Sequence, residues 1–300
     1  MGEKLLDALF SKLTEKKLIT LLSAARGPYR AARGGLVVHI VPANVPNPSV
    51  TSLVLGLLAG GTNAVKVSKR DSGLLRVYLA SLRAQDPALA RAVSIFSSHR
   101  EALRRMRSAA LVVAYGNDDT IAFLRRHTPK GVPFIGHGHR VSVAVFTREM
   151  LGPRLARAAA YDAWMMDRRG CMSPDAFFVQ DGGRLSAGAF AAQLGKEWGR
   201  LHGQETVSFS RALRLKAARD RERLRAVKEG LLSGQIPVRV FRDTRDLSRL
   251  LSSYRGKLQA AALEAPPSRR RRLADFLARL GASRVCRAGL MQHPPLVWSL

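Results

Sequence analysis

Cysteine is scarce in this chain, and so are aromatic and acidic residues. Two cysteines, Cys171 and Cys286, stand in 300 residues. That is too few for a disulfide framework; it points to a reducing compartment, the cytoplasm, and leaves a thiol free for chemistry. Aromatic residues make up only 6%, and no stacking motif accompanies them, which argues against a nucleic-acid-binding protein. No apolar run reaches the roughly 18 residues that a membrane-spanning helix requires. The opening Met1-Gly2-Glu3-Lys4-Leu5-Leu6-Asp7 carries acids where an export signal has a basic start and an apolar stretch. Leu6 also stands where a myristoylation motif has Ser or Thr.

What the chain has in excess is positive charge. Lys and Arg number 50 against 22 acids, a formal net charge of +28. One reading is an anionic partner, such as a phosphorylated cofactor, an acidic carrier protein, acidic lipid or nucleic acid. The other is arginine on solvated helix faces. The run Arg269-Arg270-Arg271-Arg272, which follows Pro266-Pro267-Ser268 and opens a helix over 273–280, suits the second. Hydrophobic residues make up 46%, ordinary for a soluble globular protein, and the length predicts one large or two modest domains.

Strand-like and helix-like segments alternate. Strands are predicted over 36–41, 63–67, 92–96 and 110–114, with helices over 49–58, 73–83, 100–106 and 118–126. Short β-rich runs separated by helices imply βαβ units and a parallel sheet. Residues 30–135 therefore read as a doubly wound, dinucleotide-binding domain, preceded by an N-terminal helical segment, 1–29. The Gly-Pro-rich stretch from Lys130 to Gly138 breaks the pattern. A second α/β domain, 136–300, follows, with strands over 141–146, 176–180, 238–241, 258–263 and 284–287 and helices over 154–166, 187–202 and 208–232.

Four segments offer chemistry. In Asp167-Arg168-Arg169-Gly170-Cys171-Met172-Ser173-Pro174 the cysteine lies in a turn between a helix and an apolar strand, where the two arginines would favour a thiolate. A buried structural cysteine is the plainer alternative, and it suits Cys286. In Pro42-Ala43-Asn44-Val45-Pro46 the asparagine is presented from a rigid loop and could donate to an oxyanion, or simply form an Asx turn. Lys66, Ser68, Lys69 and Arg70 follow a strand at the end where open α/β sheets bind ligands; a solvated strand end is equally compatible. Tyr115-Gly116-Asn117-Asp118 joins a strand to a helix, a place where a pyrophosphate can approach, although one glycine is a weak signal. No metal-ligand spacing is present.

In this order, these segments resemble the LuxC-type acyl-CoA reductases, a fatty acid reductase family of the aldehyde dehydrogenase superfamily. The resemblance runs from about Gly35 to Trp298. It rests on HIVPANVPNPSVTSLVLGLLAGGTNAVKVS, VVAYGNDDTI, FIGHGHRVSVAV, DRRGCMSP and GLMQHPPLVW. It implies an aldehyde-dehydrogenase-like fold in which a doubly wound cofactor domain precedes an α/β catalytic domain. Cys171 matches the nucleophile, and Asn44 matches the asparagine that shares the oxyanion hole with the Cys171 amide. Lys66 matches the lysine of the Lys-Pro-Ser-Glu cofactor motif, with Ser68 alongside. Gly116 matches the glycine that begins the helix beside the cofactor pyrophosphate, with Asn117 next to it.

Two departures from the wider superfamily carry information. Lys69 stands where that motif ends in Glu, which reverses the charge near the adenosine ribose and implies NADPH over NADH, with Arg70 in support. Gly136-His137-Gly138-His139-Arg140 contains no carboxylate where the oxidising enzymes keep the Glu that activates water. His137 or His139 could instead handle protons, or be structural loop histidines. The resemblance thus implies reduction of an acyl-CoA or acyl carrier protein thioester to an aldehyde, within an oligomer or beside a partner synthetase. A catalytically degenerate homologue that only binds an acyl carrier is the alternative.

Overall fold

A computed structural model of the chain describes residues 28–42, 47–68, 73–165, 168, 170–203 and 237–294, together with Thr14 and Lys16. The described residues form two compact units, one ending at His139 and one running from Arg140 to Pro294. Of the expected N-terminal helical segment, 1–29, only Thr14, Lys16 and the residues from Pro28 are described, and the expected helix over 208–232 lies outside the described residues.

The first unit runs α1 (Pro28–Ala31), β1 (Leu36–Ile40), α2 (Asn47–Leu58), β2 (Thr62–Lys66), α3 (Leu74–Gln85), α4 (Pro87–Arg91), β3 (Val93–Phe96), α5 (His99–Met106), β4 (Leu111–Tyr115), α6 (Asp118–His127) and β5 (Phe134–His137). Its five strands lie in the order β3-β2-β1-β4-β5, all parallel. Alternate residues of β1 serve opposite faces, as the period of a strand dictates. Val38 and Ile40 join Ala102 and Met106 of α5 and Leu124 of α6, whereas Val37 packs with Tyr29 of α1 and Leu55 of α2. Both faces are thus covered, which is why the strands read as continuous apolar runs.

Helix starts follow from capping side chains. Asp86, Ser98 and Asn117 accept hydrogen bonds from the third residue of α4, α5 and α6. The Gly-Pro stretch that the sequence suggests is a break contains β5, which pairs with β4 from Val112↔Phe134 to Tyr115↔His137. As an edge strand it has a neighbour on one side only, so Pro133 before it and Gly136 within it are tolerated.

The second unit runs β6 (Val141–Phe146), a 3-10 turn (Arg148–Met150), α7 (Pro153–Trp164), β7 (Pro174–Gln180), α8 (Ala187–Gly203), β8 (Val238–Phe241), α9 (Thr244–Leu250), a 3-10 turn (Ser252–Tyr254), β9 (Leu258–Glu264), α10 (Pro267–Arg279) and β10 (Arg284–Cys286). Its sheet is also parallel, in the order β10-β9-β6-β7-β8. Val143 and Val145 face α9 and α10 through Leu247, Leu273 and Leu277. Ala144 and Phe146 face α7 and α8 through Ala156, Ala160, Phe190 and Leu194. Among the described residues no helix is long and apolar enough to cross a membrane.

Candidate active site

In the first unit, most of the expected cofactor residues gather at the carboxyl end of the sheet. Lys66 closes β2, and its carbonyl accepts the Val41 amide at 3.2 Å. Its side chain is only 9% exposed, and this desolvation pulls its ammonium pKa below the ordinary lysine value. No described acid lies within ion-pair distance to compensate. Ser68 follows two residues on and is half-buried.

Gly116, Asn117, His137 and His139 meet at the ends of β4 and β5. The Gly116 amide donates to the His137 carbonyl at 3.2 Å, and the His137 ring stacks on Tyr115 at 4.3 Å between centroids. The His139 amide donates to the Asp118 carboxylate at 2.9 Å. Asn117 caps α6 by accepting from the Thr120 amide at 2.8 Å. A side chain at position 116 would come within 2.9 Å of Thr120, so only glycine lets the loop close on the helix. Asp118 and Asp119 occupy the first turn of α6, and two acids there oppose the binding of an anion at this helix end.

Between β1, β2 and α2 lies a buried polar relay that the sequence did not announce. His39 Nδ1 is 2.7 Å from Ser52 Oγ, and Nε2 is 3.0 Å from Asn63 Oδ1. Asn63 Nδ2 in turn donates to the Gly61 carbonyl at 2.9 Å. Gly56 makes room for it: a Cβ there would stand 2.0 Å from Asn63 Oδ1 and 2.8 Å from His39 Nε2. Full burial pulls the His39 pKa down to about 4, so the ring is neutral at physiological pH.

In the second unit, Cys171 lies at the amino end of the sheet, in the turn from Gly170 to Ser173 that leads into β7. The Ser173 amide donates to the Gly170 carbonyl at 2.9 Å. Ser142, at the start of β6, donates its hydroxyl to the Cys171 carbonyl at 2.7 Å, and the Ala260 amide fixes Ser142 Oγ at 3.1 Å. Ser173 Oγ accepts from Gln292 Nε2 at 3.0 Å. Cys171 itself is an exposed residue.

Two opposing effects act on the thiol of this turn. Burial around the sulfur pushes the Cys171 thiol up, against the opposing pull of the Cys171 and Met172 amides. Arg168, held at φ 57°, turns its guanidinium to the Asp175 carbonyl at 3.3 Å. Among the described groups, the peptide amides of the turn are the ones that favour the thiolate. Cys286 is half-buried against the core, and burial pushes its thiol up to about 11; this suits a structural residue.

Asn44, Lys69, Arg70 and Arg169 lie outside the described residues. Among the described residues no group of His, Cys, Asp and Glu side chains forms a metal site. Sequence reasoning missed Ser142, Ser173 and Gln292 as supports of the cysteine turn. Gln292 sits in GLMQHPPLVW, a segment whose pattern was visible and whose contact was not.

A family model described as acyl-CoA reductase (LuxC) matches residues 2–225 and 225–296. The chain is similar to long-chain acyl-protein thioester reductase 2 of Photobacterium leiognathi, at 27% identity over 177 residues, covering 56% of this chain and 37% of that protein. Its likeness to the long-chain acyl-protein thioester reductase of Photobacterium phosphoreum is 27% over 160 residues, covering 51% and 33%. The matches thus span about a third of the length of these curated relatives. In structure it is similar to an NAD-dependent benzaldehyde dehydrogenase from Corynebacterium glutamicum, with TM-score 0.58 and 14% identity over 88% of this chain and 67% of that one. It is also similar to betaine aldehyde dehydrogenase from Staphylococcus aureus, solved with NAD+, with TM-score 0.59 and 12% identity over 85% and 59%. The fold is aldehyde-dehydrogenase-like.

Proposed function

The chain belongs to the acyl-CoA reductase (LuxC) family, and from that premise we propose that it reduces an acyl thioester to an aldehyde through a thioester on Cys171. The observation that carries this reading is the Cys171 turn. An exposed cysteine residue sits there, its sulfur turned into a partly desolvated place where the amides of Cys171 and Met172 favour its charged form.

Because burial raises the thiol pKa, the proton must be taken by a base as attack proceeds. The sulfur then adds to the acyl carbonyl carbon, and the Cys171 amide and Asn44 donate to the oxygen that becomes negative. The carbon–sulfur bond to CoA or to a carrier thiol breaks, that thiol leaves with a proton, and the acyl group remains on Cys171. NADPH, when bound, would supply a hydride to the carbonyl carbon of this thioester, and a proton delivered to its oxygen completes the hemithioacetal on Cys171. Release of the aldehyde breaks the bond to Cys171 and returns its thiol. His137 and His139 are the residues proposed to move these protons. The relatives named for acyl-protein thioesters support a protein-held donor, and the net charge of +28 suits an acidic one.

The first unit fits a dinucleotide. Its strand order reverses between β1 and β4, where such ligands bind, and the desolvated Lys66 ammonium gains from hydrogen-bond acceptors placed beside it. Since Asp118 and Asp119 oppose phosphate at α6, the anionic part of the cofactor belongs on the Lys66 side, with Ser68 and Lys69; Gly116 and Asn117 line the other side. We assign cofactor binding to the first unit and the cysteine chemistry to the second. Lys69 in place of the superfamily's Glu supports NADPH, and a clear preference for NADH in kcat/KM would contradict that choice. Consumption of NADPH with acyl thioesters of graded chain length, with aldehyde detected, tests the activity. No turnover with any donor would favour an acyl-carrier-binding homologue instead.

A further inference from the structure

The second unit contains a buried polar assembly that neither the fold nor the acyl chemistry yet uses. Asp162, near the end of α7, is 1% exposed. Its carboxylate accepts the Gly289 amide at 2.6 Å and the Met291 amide at 3.0 Å. Arg284 on β10 takes the other side of the same segment, donating to the carbonyls of Met291, Leu290 and His293 at 2.9, 2.8 and 3.2 Å. Met291 is fully buried in the core against α7 and α8. The stretch from Ala288 to His293 is therefore a strap fastened by an acid through its amides and by a base through its carbonyls.

The strap presents one side chain to the cysteine turn. Gln292 is 5% exposed, and its Nε2 donates to the Asp162 carbonyl at 2.8 Å and to Ser173 Oγ at 3.0 Å. Ser173 closes the turn on Gly170 and lies two residues from the sulfur. An apolar core would not need a fully hydrogen-bonded carboxylate, a guanidinium and an amide at this place; such a network specifies one geometry.

We propose that Asp162 is a positioning residue for Cys171, acting through Gln292 and Ser173. The carboxylate sets the strap, the strap sets the glutamine amide, and the amide holds the turn in which the Cys171 and Met172 amides face the sulfur. The proposal rests on the reading of Cys171 as the acylated residue.

The test uses the full chain with Gln292→Met, which keeps the side-chain volume and removes the donor, Asp162→Asn, and Ser173→Ala. Two rates are followed at Cys171 by peptide mass: single-turnover acylation from an acyl thioester, and alkylation by iodoacetamide across pH. Each variant should acylate about tenfold more slowly, with KM for NADPH unchanged and the alkylation midpoint moved to higher pH. Gln292→Met should add nothing further in the Ser173→Ala background. A folded Gln292→Met protein with native acylation and an unmoved alkylation profile would overturn the proposal, and so would additive effects of the two changes. If Gln292→Met fails to fold, Ser173→Ala breaks the same bond from the other end, and native behaviour there also overturns it. Should the unmodified chain take up no acyl group at Cys171, the functional reading fails, and the alkylation profile alone still judges the positioning.

Discussion

Both units lay five parallel strands in one order, third, second, first, fourth and fifth of their own run, yet they place their polar groups at opposite ends. In the first unit, Lys66, Ser68, Gly116, Asn117, His137 and His139 all stand at the carboxyl end. The corresponding end of the second unit is filled by its own ion pairs. Arg269 meets Glu149 at 2.8 Å, and Arg270 lies 3.9 Å from Glu264 while donating to the Leu263 carbonyl. Cys171 sits at the other, amino end of that sheet. A reversal of strand order offers a crevice, and the residues at its rim decide what it can hold.

Breaking the second unit's distinctive end has the largest expected effect. Cys171→Ala should lower turnover about a thousandfold or more and leave dinucleotide binding by the first unit intact. Turnover near the native rate would remove the cysteine from the chemistry. Next comes the first unit's buried relay. Gly56→Ala drives a methyl group into Asn63 and His39 and should cost about 3 kcal/mol, read as a lowered thermal midpoint. A midpoint within a degree of native would show that the relay is not rigid.

The two units should also answer pH with opposite sign. Burial holds the His39 pKa at about 4, below the unfolded value of about 6.5, so the unfolded chain binds the extra proton. The first unit accordingly loses stability as pH falls from about 6.5 toward 4. Burial pushes Asp162 up to about 7 despite the Gly289 and Met291 amides and Arg284, above its unfolded value of about 3.9. Here the folded state binds the extra proton, so the second unit loses stability as pH rises from about 4 through 7. Between pH 4.5 and 7.5 the expected change is about 3 kcal/mol in each direction. Amide exchange at Val37–Ile40 and Val143–Phe146 separates the units, and Asp162→Asn should flatten the second response only. Parallel responses in both units would break the comparison. The smallest effect is expected at Lys66→Met, which should raise KM for NADPH about tenfold without changing alkylation of Cys171. An unchanged KM would take Lys66 out of the cofactor site.

Much of this frame was legible in the chain. The runs Leu36–Ile40 and Leu111–Tyr115 are apolar because both sheet faces are covered, so a parallel sheet followed from them. Strand β5 was hidden because Pro133 and Gly136 read as punctuation, although an edge tolerates them. Helix α9 was missed: it spans only Thr244–Leu250 and is marked mainly by its Asp243 cap. At the site, Gly170 and Pro174 announced the cysteine turn. Its supports did not show, because Ser142 and Gln292 reach it from 29 and 119 residues away, and local pattern carries no such contact. Nor did the sequence show that the Arg168 guanidinium reaches the Asp175 carbonyl.

The central claim is the acyl group on Cys171, and one measurement meets it directly. Intact-mass spectrometry of the chain mixed with a long-chain acyl thioester should show one acyl adduct, mapped to Cys171, that disappears on adding NADPH as aldehyde forms. Absence of the adduct, or its persistence in Cys171→Ala, would contradict the account.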